Sequence, residues 1–180
     1  MGYNTIPHQQ GRLMGCVRTD VQGRSRLTMG GIELPGSIFI HNVYNRVSWV
    51  AGVGDSNTSW AYSTATWRAA RGVNTMRVSF VVSVNEGSIE GVYWGFSTTT
   101  GSGGRLGAAY DNTIFVPNGN SHVQSPGGNA LMPGGIHITP PGIGFHFVQA
   151  IERGATGVTF YGTTVTLGAD QSMIVVTGDY

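Results

Sequence analysis

The sequence predicts an all-β protein: an antiparallel β-sandwich or jelly roll over residues 27–180, with an extended N-terminal arm over residues 1–26. Apolar and polar residues alternate with a period of two from residue 27 onward, which is typical of half-buried strands. Turn-forming clusters separate these runs at short intervals, and 29 of the 180 residues are glycine. A chain of this length fits one domain of the sandwich type.

In the first half of this region, residues 76–84 give the clearest prediction of a strand. One face of that segment is apolar and consists of Met76, Val78, Phe80, Val82 and Val84. Gly30 and Gly31 predict a two-residue hairpin between residues 26–29 and 32–34. Residues 63–71 fit either a short helix or a strand, and we favour a strand or irregular structure.

The second half predicts further strands joined by turns. Residues 85–87 join two strands, with Gly87 in the left-handed conformation that such a turn requires. Val92, Trp94 and Phe96 repeat the period-two pattern of apolar residues, so Trp94 is predicted to lie in the core. Residues 143–177 are predicted to form an antiparallel meander. Residues 117–135 (PNGNSHVQSPGGNALMPGG) are predicted to form an exposed loop that tolerates shortening.

All ten basic residues other than histidine are arginine, and the chain contains no lysine. Arginine is favoured at desolvated contacts because its planar guanidinium binds carboxylates through two hydrogen bonds. Only 11% of the residues are charged. This composition predicts a surface that is largely covered by partners and suits a buried subunit interface, although a simple compositional bias also accounts for it.

Charge is concentrated in the arm. Residues 1–26 contain four arginines and one aspartate, a formal charge of +3, whereas the remainder has six arginines and eight acids, a formal −2 that restores the overall +1. We expect the arm to bind acidic partner surfaces through Arg12, Arg18, Arg24 and Arg26. The small net charge gives no reason to expect specific nucleic-acid binding.

Trp60 and Tyr62 lie in a stretch rich in serine and threonine, and are the candidates for exposed aromatic contacts. No catalytic, metal or cofactor site is predicted. The glycine-rich segment 101–107 lacks the lysine of a phosphate-binding loop, and the five histidines are scattered. Glu86 and Glu90 flank a predicted hairpin, where solvated charge is expected. The sequence leaves open a Ser/His/Asp triad formed by residues that are far apart in the chain.

No apolar run approaches the ~20 residues that a membrane helix needs, so we expect no membrane partner. The first residues lack the apolar core of a secretory signal. With Cys16 as the one cysteine, no internal disulfide can form. We therefore expect the chain to be made in a cytoplasm and to stay reduced there.

Residues 65–73 (ATWRAARGV) and 76–84 (MRVSFVVSV) resemble the strand–turn–strand pattern of trimeric jelly rolls of the complement C1q and tumour-necrosis-factor type. Residues 144–152 (GFHFVQAIE) and 157–162 (GVTFYG) resemble the C-terminal strands of bacteriophage virion surface proteins, including head decoration (cement) proteins and fibre tips. The resemblance covers about residues 60–180.

The resemblance implies a non-enzymatic structural protein of a phage virion. In that role it would be a homotrimeric decoration protein that binds and stabilises the shell through the major capsid protein or other virion proteins. A receptor-binding tail-fibre or spike tip that recognises host surface glycan is the alternative, and a glycan-active enzyme is a third.

Overall fold

The computed structural model describes residues 16–17, 27–28, 37–38, 40–41, 48–82, 85–99, 103–115, 122–124, 128–162 and 172–179. The described residues are almost entirely β, in two packed sheets, which confirms the all-β sandwich. Of the arm, the strand Cys16–Val17 is described. Arg12, Arg18, Arg24 and Arg26 lie outside the described residues, as does the predicted turn at Gly30 and Gly31.

The elements follow one another along the chain, with one 3₁₀ turn at Ala70–Gly72. The strands are β1 (Cys16–Val17), β2 (Leu27–Thr28), β3 (Ser37–Ile38), β4 (Ile40–His41), β5 (Trp49–Gly54), β6 (Ser59–Ala61), β7 (Trp67–Ala69), β8 (Arg77–Val82), β9 (Ser88–Thr99), β10 (Arg105–Tyr110), β11 (His122–Gln124), β12 (Gly128–Ile138), β13 (Gly144–Arg153), β14 (Val158–Tyr161) and β15 (Met173–Asp179).

The first sheet has the order β11–β10–β13–β8–β3–β2. Strand β13 is its centre: β10 pairs with one edge, and β8 and β7 pair with successive parts of the other. The pairings are antiparallel except for β3 with β8. Because β13 spans the sheet, its inward residues reach both ends of the sandwich.

The second sheet has the order β5–β15–β9–β14–β6. Strand β9 is its centre: β12 pairs along the whole of one edge, whereas β15 and then β14 share the other. Strands β1 and β4 form a separate antiparallel pair.

The apolar core lies between the two sheets. Its largest fully buried side chains include Tyr93, Phe80, Phe160, Met76, Ile89, Leu106 and Ile174. The predicted inward face of β8 is confirmed, because Met76, Val78, Phe80 and Val82 are all buried. Burial of these side chains supplies the main favourable free energy of the fold.

The predicted inward face of β9 is wrong. Ile89, Gly91, Tyr93, Gly95 and Ser97 point inward, and Trp94 lies on the outer surface with 41% of its area exposed. A Cβ at Gly91 or Gly95 would collide with core side chains of the other sheet. Glycine is required there for space, and its lack of a side chain hides the inner face from a hydropathy pattern.

The long loop predicted at residues 117–135 is also wrong, because β11 and most of β12 occupy this region. Strand β12 contains Pro133, which cannot donate a ladder hydrogen bond. It tolerates proline because it pairs with β9 alone among the described strands and so forms an edge of the second sheet. Its glycine-rich and proline-containing sequence resembles that of a loop.

The predicted C-terminal meander is wrong in its pairing, although its strands exist. Strand β13 belongs to the first sheet, whereas β14 and β15 flank β9 in the second. Gly87 does have the predicted left-handed conformation, with φ of 80°. However, its turn carries the chain from β8 to β9, between the sheets, so Glu86 and Glu90 do not flank a hairpin. Residues 63–71 contain β7 and no α-helix, as predicted.

Candidate functional site

The outer surface of the second sheet is apolar over its central strands. We call this surface the outer apolar face; its members are Val50, Val92, Trp94, Phe96, Pro133, Tyr161, Met173 and Val175. They occupy the positions that alternate with the buried, inward residues of the same strands. Val50 and Trp94 are exposed over 57% and 41% of their areas.

Cross-strand register makes the outer apolar face continuous. Trp94 lies directly opposite Met173 on one side and Pro133 on the other. Val92 lies opposite Val175, and the ring of Phe96 meets that of Tyr161 edge-on, with centroids 5.5 Å apart. Directly opposite residues on one face are the closest neighbours that a sheet offers, so these side chains form one surface.

Glycine keeps part of this surface flat. Gly52 and Gly54 on β5, and Gly135 on β12, hold outward positions and present backbone. Charge among the described residues of the face is confined to one end, where His137 Nδ1 lies 3.1 Å from Glu90 Oε1 and Asp179 ends β15. A flat apolar centre with a polar margin is typical of a protein–protein interface.

The size of the face also fits an interface. Four strands spaced about 4.8 Å apart, over about seven residues, give a projected area of about 450 Å². The largest apolar patch on a typical monomeric protein is of this size and is often functional. Side chains that project from the sheet make the accessible area larger than this projected area. The accessible area is therefore closer to the ~800 Å² per partner that a standard interface buries.

Trp60 and Tyr62, the aromatic residues predicted to be exposed, are half-buried and pack against the core. The indole Nε1 of Trp60 donates a 2.8 Å hydrogen bond to Glu152 Oε2. The Tyr62 ring lies under the Arg68 guanidinium, 3.6 Å from its carbon. Both side chains are therefore committed to internal contacts, and Trp94 is the exposed tryptophan that the sequence pattern had assigned to the core.

Glu152 is the centre of a buried polar cluster at one end of the sandwich. Its side chain is fully buried, and Arg68 donates to Oε1 from Nε at 2.8 Å and from Nη2 at 2.6 Å. Burial raises the pKa of Glu152, while hydrogen bonds from Trp60 and Arg68 act in the opposite direction. Both carboxylate oxygens are thus engaged by the protein.

A second ion pair lies beside this cluster. Arg71 Nε is 3.0 Å from Asp55 Oδ2, and the Asp55 side chain is also buried. The backbone N–H and side-chain amide of Asn57 both donate to Asp55 Oδ1. The acids are held by fixed partners, an arrangement that holds strands together.

His146 and Asp111 form a polar contact at the opposite end of β13. His146 Nδ1 is 2.7 Å from Asp111 Oδ2, and the Phe147 N–H donates to Asp111 Oδ1 at 2.9 Å. The imidazole stacks on Tyr110, with centroids 5.1 Å apart. This geometry orients a histidine as in a hydrolase triad, but within the described residues Nε2 has no hydrogen-bond partner, so no nucleophile completes one.

His137 and His146 belong to different sheets and do not face each other across neighbouring strands. Across the described ranges, no group of three or more histidine, cysteine or acidic side chains could hold a metal ion. The same ranges contain no helix long and apolar enough to span a bilayer. No protein-family model matches the chain, and no curated protein matches it significantly.

The sequence pattern missed the outer apolar face as a site. The available signal was that both faces of β9 and β15 are apolar, as in the run Met173 to Val176. Strands with two apolar faces are typical of sheets that are covered on both sides.

Proposed function

We propose that this protein is a non-enzymatic structural protein that assembles with copies of itself through the outer apolar face, and that it decorates a phage shell as a homotrimer. The exposed position of Trp94 at the centre of that face is the observation that carries the proposal. The virion role rests on the resemblance of residues 60–180 to phage surface proteins.

An apolar face with few charges suits a second copy of the same chain. Its centre places no charge that a partner would have to neutralise, so burial costs little desolvation of polar groups. Three copies turned toward a common axis would bury the centres of their faces, leaving the Glu90–His137 end at the margin. Closed rotational symmetry then limits the assembly to a defined size.

The polar clusters support a structural role. The carboxylate of Glu152 is enclosed by Trp60 and Arg68, and Asp111 is held by His146 and a backbone N–H. Neither cluster contains a pair of free carboxylates facing a substrate, as glycoside hydrolysis would require.

The shell contact is proposed for the arm. Its excess of arginine would form charge-assisted hydrogen bonds to acidic residues of a capsid surface, and binding would weaken with salt. Assembly through the outer apolar face and shell binding through the arm are thus separate functions of separate segments.

Light scattering of wild-type protein and of Trp94→Glu tests the proposal. We expect a wild-type mass of three times 19.0 kDa, and a monomer with unchanged far-UV circular dichroism for the variant. Ile143→Glu is the matched control, because Ile143 is 67% exposed but lies outside the face. A monomeric wild-type protein would refute self-association, whereas a trimeric Trp94→Glu variant would show that another surface mediates it.

Glycan recognition by a fibre or spike tip is the second candidate, favoured by the aromatic row Trp94, Phe96 and Tyr161 on a flat face. Aromatic rings stack on the apolar faces of sugars. Binding of a host glycan that is lost in Trp94→Ala, with the oligomeric state unchanged, would favour this candidate over assembly.

A further inference from the structure

Strand β5 forms an edge of the second sheet. It pairs with β15 on one side, and no described strand pairs with its other side. Edge strands usually carry a charged residue, a proline or a bulge that prevents a foreign strand from adding. The sequence of β5, WVAGVG, has no charge and no proline, and its register with β15 is continuous. Strand β5 therefore lacks the features that usually protect an edge.

The hydrogen-bond pattern of β5 shows which backbone groups face this outer edge. The N–H of Asp55, which continues the register of β5, donates to the carbonyl oxygen of Ser172 at 3.1 Å. In an antiparallel ladder, hydrogen-bonded pairs alternate with pairs that exchange no hydrogen bond. The odd-numbered residues of β5 are therefore bonded to β15. The N–H and C=O groups of the even-numbered residues Val50, Gly52 and Gly54 point away from β15.

These three residues are accessible from solvent. Val50 is 57% exposed, Gly54 is exposed and Gly52 is half-buried. Within the described part of the chain, none of the three makes a backbone hydrogen bond outside its own sheet. Their N–H and C=O groups recur about every 7 Å along the edge, which is the spacing that an added strand requires.

The side chains around Gly52 indicate what an added strand would carry. Gly52 presents backbone on the outer side, and Met173 Cε and Val175 Cγ2 lie 3.4 and 3.7 Å from the position of an added Cβ. A large apolar side chain opposite Gly52 would pack on these two groups. On the inner side, the neighbours of the added strand would be the buried Ala51 and Val53. A segment that is uncharged and apolar on both faces fits these surroundings.

The first sheet extends past the outer edge of β5. Trp49 of β5 packs on Phe80 of β8, with ring centroids 5.3 Å apart, so β5 lies over β8. Beyond β8 the first sheet continues with β3 and then β2. A single strand added beside β5 would lie over β3, at the usual separation of about 10 Å between packed sheets. A second sandwich would collide with β3 and β2, so the geometry favours a separate extended segment over a second folded copy.

We propose that the outer edge of β5 binds an extended, uncharged segment of a partner protein by strand addition, with a large apolar side chain of that segment opposite Gly52. Main-chain hydrogen bonds supply the affinity in this mode of recognition, and the contacts of alternate side chains supply the specificity. The inference does not rest on the proposed trimer, because the backbone amides of β5 report binding in either oligomeric state.

Amide hydrogen exchange measured by NMR tests the site, because it reports each N–H separately. In the protein alone, we expect the edge amides of Val50, Gly52 and Gly54 to exchange about 100-fold faster than those of Ala51 and Val53. The probe is a capped seven-residue peptide with a central phenylalanine, flanked on each side by valine, then threonine, then lysine. At ten times its Kd, the peptide should slow the exchange of the edge amides about tenfold.

Two control peptides replace the central phenylalanine. Proline removes the N–H that would pair with the carbonyl oxygen of Gly52, and at the same concentration it should give less than a third of the slowing. Alanine keeps this N–H but loses the contact with Met173 and Val175, so we expect an intermediate slowing. No slowing with the phenylalanine peptide, or equal slowing with either control, would overturn the proposal.

Slow exchange of the edge amides in the protein alone would also overturn it. If that protection grows with protein concentration, a second copy occupies the edge. If it is independent of concentration, a segment of the same chain does.

Discussion

Arg68 donates two hydrogen bonds, of 2.8 and 2.6 Å, to a single oxygen of Glu152, a residue 84 positions later in the chain. Trp60 bonds the other oxygen of the same carboxylate. Arg68 lies on β7 of the first sheet and Trp60 on β6 of the second. The buried side chain of Glu152 therefore links an edge strand of one sheet to an edge strand of the other. The free energy lost by burying its charge opposes the free energy gained from these hydrogen bonds.

Glu152→Gln should change how stability depends on pH. Burial raises the pKa of Glu152 in the folded protein, whereas the unfolded chain keeps a value of about 4.3. The folded state then holds the proton more tightly, so the stabilisation from Glu152 is fully present below the unfolded pKa and is lost as pH rises through the folded pKa.

Urea unfolding of the wild type and of Glu152→Gln between pH 4 and 8 measures this dependence. We expect the wild type, relative to the variant, to lose stability as pH rises. If the wild type instead becomes more stable relative to the variant as pH rises, the ion pair with Arg68 has a larger effect on the pKa of Glu152 than burial has.

Arg68→Ala should destabilise the protein by about 3 kcal/mol, because it leaves the buried Glu152 carboxylate without its cation. The double variant Arg68→Met with Glu152→Met should lose much less, since no charge remains buried. Chemical denaturation of the three proteins checks the order. Equal losses in the single and double variants would show that packing, and not charge, dominates at this position.

Asp111→Ala should destabilise more than Asp111→Asn. Asp111 has a φ of 50°, a left-handed conformation that asparagine adopts far more readily than alanine. Alanine also loses the contacts with His146 and the Phe147 N–H, whereas asparagine keeps an oxygen for one of them. We expect a difference of about 1–2 kcal/mol between the two variants in thermal or urea unfolding. Equal stabilities would show that neither backbone conformation nor the retained acceptor matters.

Gly134→Ala should be strongly destabilising, by about 2 kcal/mol or more, because an added Cβ would overlap the backbone of Leu106 and Gly107 on the other sheet. Gly54→Ala is the control, since Gly54 is exposed on the outer side of β5. We expect differential scanning calorimetry to show a large fall in melting temperature for the first variant and a small change for the second. If the two variants change the melting temperature by similar amounts, β12 and β10 can move apart to accommodate the added Cβ at little cost in free energy.

Alternation alone was enough to predict the sandwich and the buried face of β8, because Met76, Val78 and Phe80 contribute large apolar side chains at every second position. The same rule failed on β9, where the inward Gly91 and Gly95 contribute none. It also failed on β12, whose glycine and proline content is that of a loop although the strand pairs fully with β9.

The candidate site was less accessible to sequence reasoning than the fold. Whether Trp94 faces the core or solvent depends on which side of β9 the other sheet packs, and one strand's pattern does not contain that information. The contact of Trp94 with Met173 depends on strand register, which pairs these residues 79 positions apart in the chain. Long-range pairing of this kind follows from the whole topology and not from local spacing.

The close approach of β12 to β10 at Gly134 has a consequence for how copies can meet. Along this margin the backbone of β12 at Gly134 lies against the backbone of β10. The two sheets are therefore in direct contact on this side of the sandwich, as neighbouring strands are in a closed barrel. Strand β12 is the long outermost strand beside β9, the kind of border on which foreign strands add and fibres grow. With β10 and β11 lying against it, that border is shielded, and growth by strand addition is disfavoured there. If copies associate through the outer apolar face as proposed, strand addition at β12 would not compete with that association.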